Sequence, residues 1–373
     1  MLGIYVHLPI CKSKCHYCDF NSIPKIELID DYISALLKSI PLLTEKFHLI
    51  GKKVDTIFFG GGTPSIFSNK HFLKILNTLH EKFEIKKEAE ISIEVNPGSI
   101  SKSKLLFYKD TGINRISIGI QSFNPETLKL IGRYHTKEDA LKSLTMALKI
   151  FTNISADLMF GLPSQEITQY INDLQTLIKF NIPHISSYLL TLNENSRKIF
   201  KNLPPDEEIP LFFKTTKELL ESYSVFQYES SNYAKQNSQC RHNLKYWKNK
   251  NYISFGAGAH SFISWKNKHV RFENEHNILK YINAIKNNKL TFSMYEDLSQ
   301  NDRKIDFITS YLRLNSGFCL EEYTKLFHSN FMQDYAQAIE KNLKKEHIKI
   351  SKNRVSLTEN GRLFSNQVFL DFA

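Results

Sequence analysis

The chain has 373 residues, is 42% hydrophobic and 23% charged, and carries a formal net charge of +11, which is ordinary for a globular protein and long enough for two domains. No apolar run approaches the ~20 residues of a membrane helix, and no basic segment leads into an apolar stretch with a small-residue cleavage site, so neither a spanning segment nor a signal peptide is expected. Five cysteines are too sparse for a disulfide framework, and only nine of the 49 basic residues are Arg, with no Arg-rich helix, so no nucleic-acid partner is expected. Free thiols without an export signal fit a reducing cytoplasm.

In chain order, the first strand is expected at Ile4–Leu8. Cys11, Cys15 and Cys18 follow it at once, in the spacing C-x3-C-x2-C. Leu28–Leu37 has helical spacing, and Thr56–Phe59 reads as a second strand ending on Gly60-Gly61-Gly62-Thr63-Pro64. Phe72–Phe83 is helical, and Ile91–Val95 is a third strand running into Asn96-Pro97-Gly98. After a helix around Leu105–Tyr108 comes Arg115–Ile120, closed by Gln121. Ala140–Ile150 is helical, Ser155–Met159 is a fifth strand carrying Asp157, Tyr170–Phe180 is helical, and His184–Leu190 is a sixth strand. Leu211–Tyr223 closes the series. Alternating strands and helices predict an α/β fold with a parallel sheet. Six such units can wrap into an open, partial barrel over residues 1–225, with the chemistry at the carboxyl ends of the strands. Residues 226–290 read as a connecting segment, with Gly256-Ala257-Gly258-Ala259 closing the barrel mouth. Helices at His276–Ile285, Asn301–Leu312, Leu320–Phe327 and Phe331–Leu343 precede a hairpin turning at Lys352-Asn353. Residues 291–373 are therefore expected to form a smaller α+β, winged-helix-like domain.

The cysteines carry the clearest chemistry. Three thiolates on one short loop can hold three irons of a 4Fe-4S cubane, whose fourth iron then stays open; the usual cubane has four cysteine ligands. Zinc is the rival, with His7 or His16 as fourth ligand. Zinc sites usually pair C-x2-C with a distant second pair, and here Cys240 and Cys319 stand alone. The triple glycine lacks G-x-G-x-x-G spacing, so it is no dinucleotide fingerprint. It is either a bare turn or a close approach of backbone to a ligand. Glu94 alternates with Ile93 and Val95, so it faces either solvent or the barrel lumen. Gln121, Arg133 and Asp157 read alone as a turn polar, a helix surface residue and a strand-end cap. The Arg133 guanidinium is the least ordinary of these, because its fork matches a carboxylate.

Y-V-H-L-P-I-C-x3-C-x-Y-C, F-G-G-G-T-P-S, I-E-V-N-P, N-R-I-S-I-G-I-Q-S-F, I-G-R-x-H and D-L-M-F-G-L-P follow one another along the chain. Together they resemble the radical S-adenosylmethionine (SAM) superfamily, in the branch holding the oxygen-independent coproporphyrinogen III dehydrogenase and its heme-chaperone relatives. The resemblance implies a radical SAM partial barrel of six strand–helix units. It implies a 4Fe-4S cluster on Cys11, Cys15 and Cys18 with SAM on the open iron. It implies a SAM shell of Tyr5, Tyr17, Gly61, Gly62, Thr63, Glu94, Gln121, Arg133 and Asp157, with Tyr17 near the adenine and backbone at the glycines meeting the methionine amino group.

Within the branch three features resemble the chaperones. Only four residues precede Tyr5, whereas the dehydrogenase has a long N-terminal extension. The dehydrogenase carries a further cysteine two residues past its third, where this chain has Phe20. His242-Asn243-Leu244-Lys245-Tyr246-Trp247 matches the chaperones' H-N-x-x-Y-W. This implies heme as ligand, with His242 on the iron and His260 as a second candidate. Tyr246 and Trp247 would stack on the porphyrin and Lys245 or Lys248 meet a propionate. The plainer reading is a His and two aromatics packed between domains. The implied partners are a heme-acceptor protein and an electron donor; a peripheral membrane contact is left open. The alternatives are the dehydrogenase itself and a redox-sensing regulator that binds DNA through the C-terminal domain.

Overall fold

The computed structural model describes residues 1–192 and 194–373. Strands β1 (Leu2–Leu8), β2 (Lys53–Gly61), β3 (Glu84–Val95), β4 (Arg115–Gln121), β5 (Asn153–Phe160) and β6 (His184–Leu189) pair in sequence, each parallel to the next. Helices Ile29–Lys46, Asn69–Lys82, Lys102–Asp110, Lys137–Leu148 and Ile167–Lys179 make the crossovers that parallel neighbours require. One face of every strand is apolar: Ile4, Val6, Ile57, Phe59, Ile93, Ile116, Ile118, Ile154, Ala156 and Ile185 lie in one core with Leu36, Leu76, Leu105 and Leu174 of the helices. The other face, one residue out of phase, is polar and turns into the lumen.

The segment expected to close the mouth instead extends the sheet at both edges. Strands β7 (Phe226–Gln227) and β8 (Asn232–Ala234) cover β6. Strand β9 (Tyr252–Phe255) pairs parallel to β1. Strands β10 (His260–Trp265), β11 (Lys268–Asn274) and β12 (Phe292–Asp297) continue antiparallel beyond it. The result is one 12-stranded sheet, in the order β12-β11-β10-β9-β1-β2-β3-β4-β5-β6-β8-β7, curved as a partial barrel and left open. Gly256 packs on Tyr32 and His7, and Gly258 on Asn21, so this glycine run sits beside the mouth and does not cross it.

The smaller C-terminal unit follows β12, one strand later than the boundary drawn at residue 290. Strands β13 (Phe318–Cys319), β14 (Ile348–Ser351) and β15 (Arg354–Leu357) form a sheet of order β13-β15-β14. Lys352 and Asn353 both take positive φ, as a tight two-residue hairpin turn demands. The expected helix Phe331–Leu343 breaks at Tyr335 into Phe331–Asp334 and Ala336–Lys344. Phe307, Phe318, Tyr323 and Phe331 centre a separate core, against which Leu244 and Trp247 pack. Among the described residues no helix is long and apolar enough to cross a membrane.

Helix Arg241–Trp247 plugs the amino-terminal end of the barrel. Its first turn has no side-chain cap of its own. Glu90, buried midway along β3, accepts the amide protons of Arg241 and His242, each at 3.0 Å. A carboxylate at a helix amino terminus suits both the free N–H groups and the dipole. Lys245 pairs with Asp55 at 2.6 Å beneath the same plug. Glu90→Ala strands these donors in the interior and should destabilise the apo-protein by about 2–4 kcal/mol. Denaturant unfolding followed by circular dichroism checks this; an unchanged midpoint would mean that the plug does not depend on Glu90.

Candidate cofactor site

The carboxyl ends of β1–β6 surround a cavity whose floor is polar and whose lip is the cysteine loop. The loop is pinned at its base: Cys11 N–H donates to the Ile23 carbonyl (3.0 Å) and Ile23 N–H to that of Pro9 (2.8 Å). Cys11 is buried, and Cys15 and Cys18 are half-buried. All three line the cavity with Tyr17, Gly61, Gly62, Thr63, Glu94, Gln121, Arg133 and Asp157. Burial pushes the Cys11 and Cys18 thiols up from their ordinary value, so iron would displace protons on binding. No three His, Cys, Asp or Glu side chains among the described residues converge as one metal ion requires; a cubane spreads its ligands over separate irons.

The zinc rival also lacks its fourth ligand. His7 Nε2 donates to the Asn21 carbonyl at 2.8 Å, and its Nδ1 meets the Tyr5 hydroxyl at 3.1 Å. His16 is exposed, with Nδ1 on the Leu130 carbonyl at 3.1 Å.

The glycines line the cavity with their N–H groups turned inward to the protein. Gly61 N–H donates to Glu94 (3.1 Å) and Gly62 N–H to the Leu8 carbonyl (2.9 Å). A Cβ on Gly62 would stand 2.7 Å from the Pro9 carbonyl carbon and 2.8 Å from the Leu8 oxygen. Gly61 has φ +110, and a Cβ there would strike the His7 ring. Absent side chains thus let the end of β2 lie directly on the root of the cysteine loop.

Glu94 and Asp157 are neighbouring carboxyls on the cavity wall. Burial, then the charge of Asp157, push Glu94 up to about 7. Burial raises Asp157 as well, against hydrogen bonds from Ser117 and Ser155. Arg133 Nη2 donates to Asn96 Oδ1 (2.9 Å) and to the Gly119 carbonyl (2.6 Å), and Nη1 lies 3.8 Å from Cys15 Sγ. Its buried Nε has no partner among the described residues. A guanidinium so placed has room for an incoming carboxylate. Gln121 takes φ 68, which a non-glycine residue adopts at a cost. These features fit an amino-acid cofactor beside a cluster.

Two expected residues are elsewhere. Tyr5 lies below the cavity, with its ring over Phe58 at 6.1 Å. His242 is buried in the plug, with Nδ1 2.8 Å from Thr56 Oγ1 and Nε2 2.8 Å from the Tyr246 hydroxyl. Both ring nitrogens are spent, so none faces a heme iron, and burial lowers His242 to about 3. Lys245 is held by Asp55, and Trp247 lies under Arg313. The motif packs as the plainer reading had it. His260 is exposed, 4.0 Å from Glu273. Asn96, which shares the alternating polar face of Glu94, joins the wall, as do Met159 and Tyr188, which were not named for the site. Each stands two residues beyond a lumen-facing residue, so strand alternation could have found them.

Residues 5–177 match the family model of the radical SAM superfamily, and residues 298–364 that of the HemN C-terminal domain. The chain is 33% identical over 383 residues to the heme chaperone HemW of Buchnera aphidicola (subsp. Schizaphis graminum), covering 99% of this chain and 98% of that one. For the heme chaperone HemW of Haemophilus influenzae the figures are 33% over 380 residues, 98% and 96%. For that of Escherichia coli K12 they are 38% over 275 residues and 71% of each chain. The solved coproporphyrinogen III oxidase (HemN) of Escherichia coli, a radical SAM enzyme, superposes with a TM-score of 0.87 at 22% identity, over 100% of this chain and 89% of that one. This last likeness shows a shared fold.

Glu94 gives the site a pH signature. Its folded-state value of about 7 lies above the ordinary 4.5, so the folded apo-protein holds a proton that the unfolded chain releases. Its contribution to stability is therefore present below pH 4.5 and lost as pH rises towards 7. Wild type minus Glu94→Gln stability, measured across that range, should fall with rising pH. A flat difference would place Glu94 in ordinary contact with water.

Proposed function

The chain belongs to the radical SAM superfamily, in its HemN-like group, and on that premise we propose that it is a heme chaperone: it carries a 4Fe-4S cluster and SAM, binds heme and delivers it to an acceptor protein. The observation that carries the cofactor half is the meeting of three loop thiols, a guanidinium with an orphaned nitrogen and two carboxyls on one cavity. Cys11, Cys15 and Cys18 would hold the cluster, which when bound supplies an iron with an open coordination position and an electron. Arg133 would take the SAM carboxylate in its fork. Glu94 and Asp157 suit ammonium or ribose hydroxyl groups, and Tyr17 offers a ring face to the adenine. Gly61 and Gly62 hold the cysteine loop against β2 and keep that cradle narrow.

The heme half is supported by the names of relatives 33–38% identical to this chain. Phe20, at the lip of the cavity and 62% exposed, stands where the dehydrogenases carry a further cysteine. The reading places the protein in the cytoplasm, served by an electron donor.

Anaerobic reconstitution should load about four irons per chain, most of which Cys18→Ala should lose. The protein should bind heme yet leave coproporphyrinogen III unchanged with SAM and reductant present. A colourless protein holding one zinc would overturn the cofactor assignment; steady conversion of coproporphyrinogen III would make it a dehydrogenase.

A further inference from the structure

A second cavity, of about 660 Å³, lies along the β6 edge between the barrel and the C-terminal unit. Leu189 and Phe213 on the barrel side face Leu357 and Leu363 of the C-terminal unit across it. Leu189 and Leu363, each 36% exposed, leave its mouth apolar. Two guanidiniums, Arg313 and Arg362, reach the same space. Arg313 stacks between aromatic rings, 5.2 Å from the centre of Trp247 and 4.8 Å from that of Phe369. Arg362 donates to Asn315. Among the described residues neither has a carboxylate within 4.0 Å, whereas the cavity's lysines are paired, Lys214 with Glu218 and Lys217 with Glu359. Burial is the main cause that pulls both guanidiniums below their ordinary value. Glu229 acts on Arg313, and Glu359 and Glu221 on Arg362, only beyond ion-pair contact, so each half-buried guanidinium keeps donors that a bound anion can take.

We propose that this cavity is the heme site, with the porphyrin face against the leucines and the two propionates on Arg313 and Arg362. The inference rests on the heme-chaperone reading and gives that reading a place. The apolar patch of Leu189, Phe213, Leu357 and Leu363, set in an otherwise polar lining that includes Glu218, Glu221 and Glu359, with two guanidiniums out of ion-pair contact, suits a flat dicarboxylate such as heme. No His, Cys or Met lines the cavity among the described residues, and its phenols are those of Tyr188 and Tyr233. The iron is therefore held without a histidine or thiolate ligand. Heme gripped by its edge and faces leaves an axial position for the acceptor's own ligand, which is what a carrier needs for release. Tyr188 lies in the wall of both cavities, so heme would sit next to the cofactor pocket.

The test titrates the reconstituted full-length protein with heme and with heme dimethyl ester, whose propionates carry no charge. The ester should bind about tenfold or more weakly than heme, as expected for lost charge-assisted hydrogen bonds. Arg313→Met and Arg362→Met should each weaken heme by about the same factor and leave the ester unaffected. The spectrum should lack a histidine-ligand signature, and His260→Ala should leave it unchanged. Equal binding of heme and ester, or a spectrum abolished by His260→Ala, would overturn this site while the chaperone reading stands. A wild type that binds neither compound would overturn both. Should an arginine variant fail to fold, the ester comparison on the wild type still decides.

Discussion

Every second residue of β1 to β6 points into a lumen that an open barrel cannot seal, and in this chain those residues carry charge. Glu90, Arg115 and Asp157, with the imidazole of His184, lie on that face at different heights on four successive strands, among serines. Buried charge is tolerated only where partners meet it. Ser155 links Asp157 to His184 Nδ1 at 3.3 and 2.7 Å, and His184 Nε2 reaches the Tyr228 hydroxyl at 2.9 Å. Tyr228 in turn takes the Cys240 amide proton, at the root of the plug helix. Satisfying the lumen from below is thus what positions helix Arg241–Trp247, and with it the C-terminal unit that packs on Trp247.

The upper end is satisfied only in part. Among the described residues Asp157 and Glu94 sit together without a cation in hydrogen-bond contact, and Arg133 keeps an orphaned Nε. Unpartnered atoms occur at both ends of the polar row, Arg115 Nε and Asn153 Oδ1 below and Arg133 Nε above, but only Arg133 lines the cavity with the thiols. His7, His184 and His242 are spent in hydrogen bonds and kept neutral by burial, while the thiols stay within reach of the cavity.

The barrel was legible in the sequence because its strands are runs of β-branched residues with polar ones in alternation, as in Ile91-Ser92-Ile93-Glu94-Val95. The cysteine spacing and its place after β1 were legible for the same local reason. What escaped depends on distant partners. Tyr252–Phe255 is four residues long and becomes a strand only because β1 offers it an edge. His242 reads as a ligand until Thr56, 186 residues away, takes its Nδ1. That the glycines also make room for Leu8 and Pro9 could not be read locally, because those partners lie more than fifty residues away.

The central claim is that the three thiols hold a cluster whose open iron faces the Arg133 cradle. Electron paramagnetic resonance of the reduced, reconstituted protein tests it most directly, recorded with and without SAM. The account predicts that SAM shifts the cluster signal in the wild type, and that Arg133→Met, with iron content unchanged, needs far more SAM to produce the same shift. A reduced cluster whose signal ignores SAM at any concentration would contradict it.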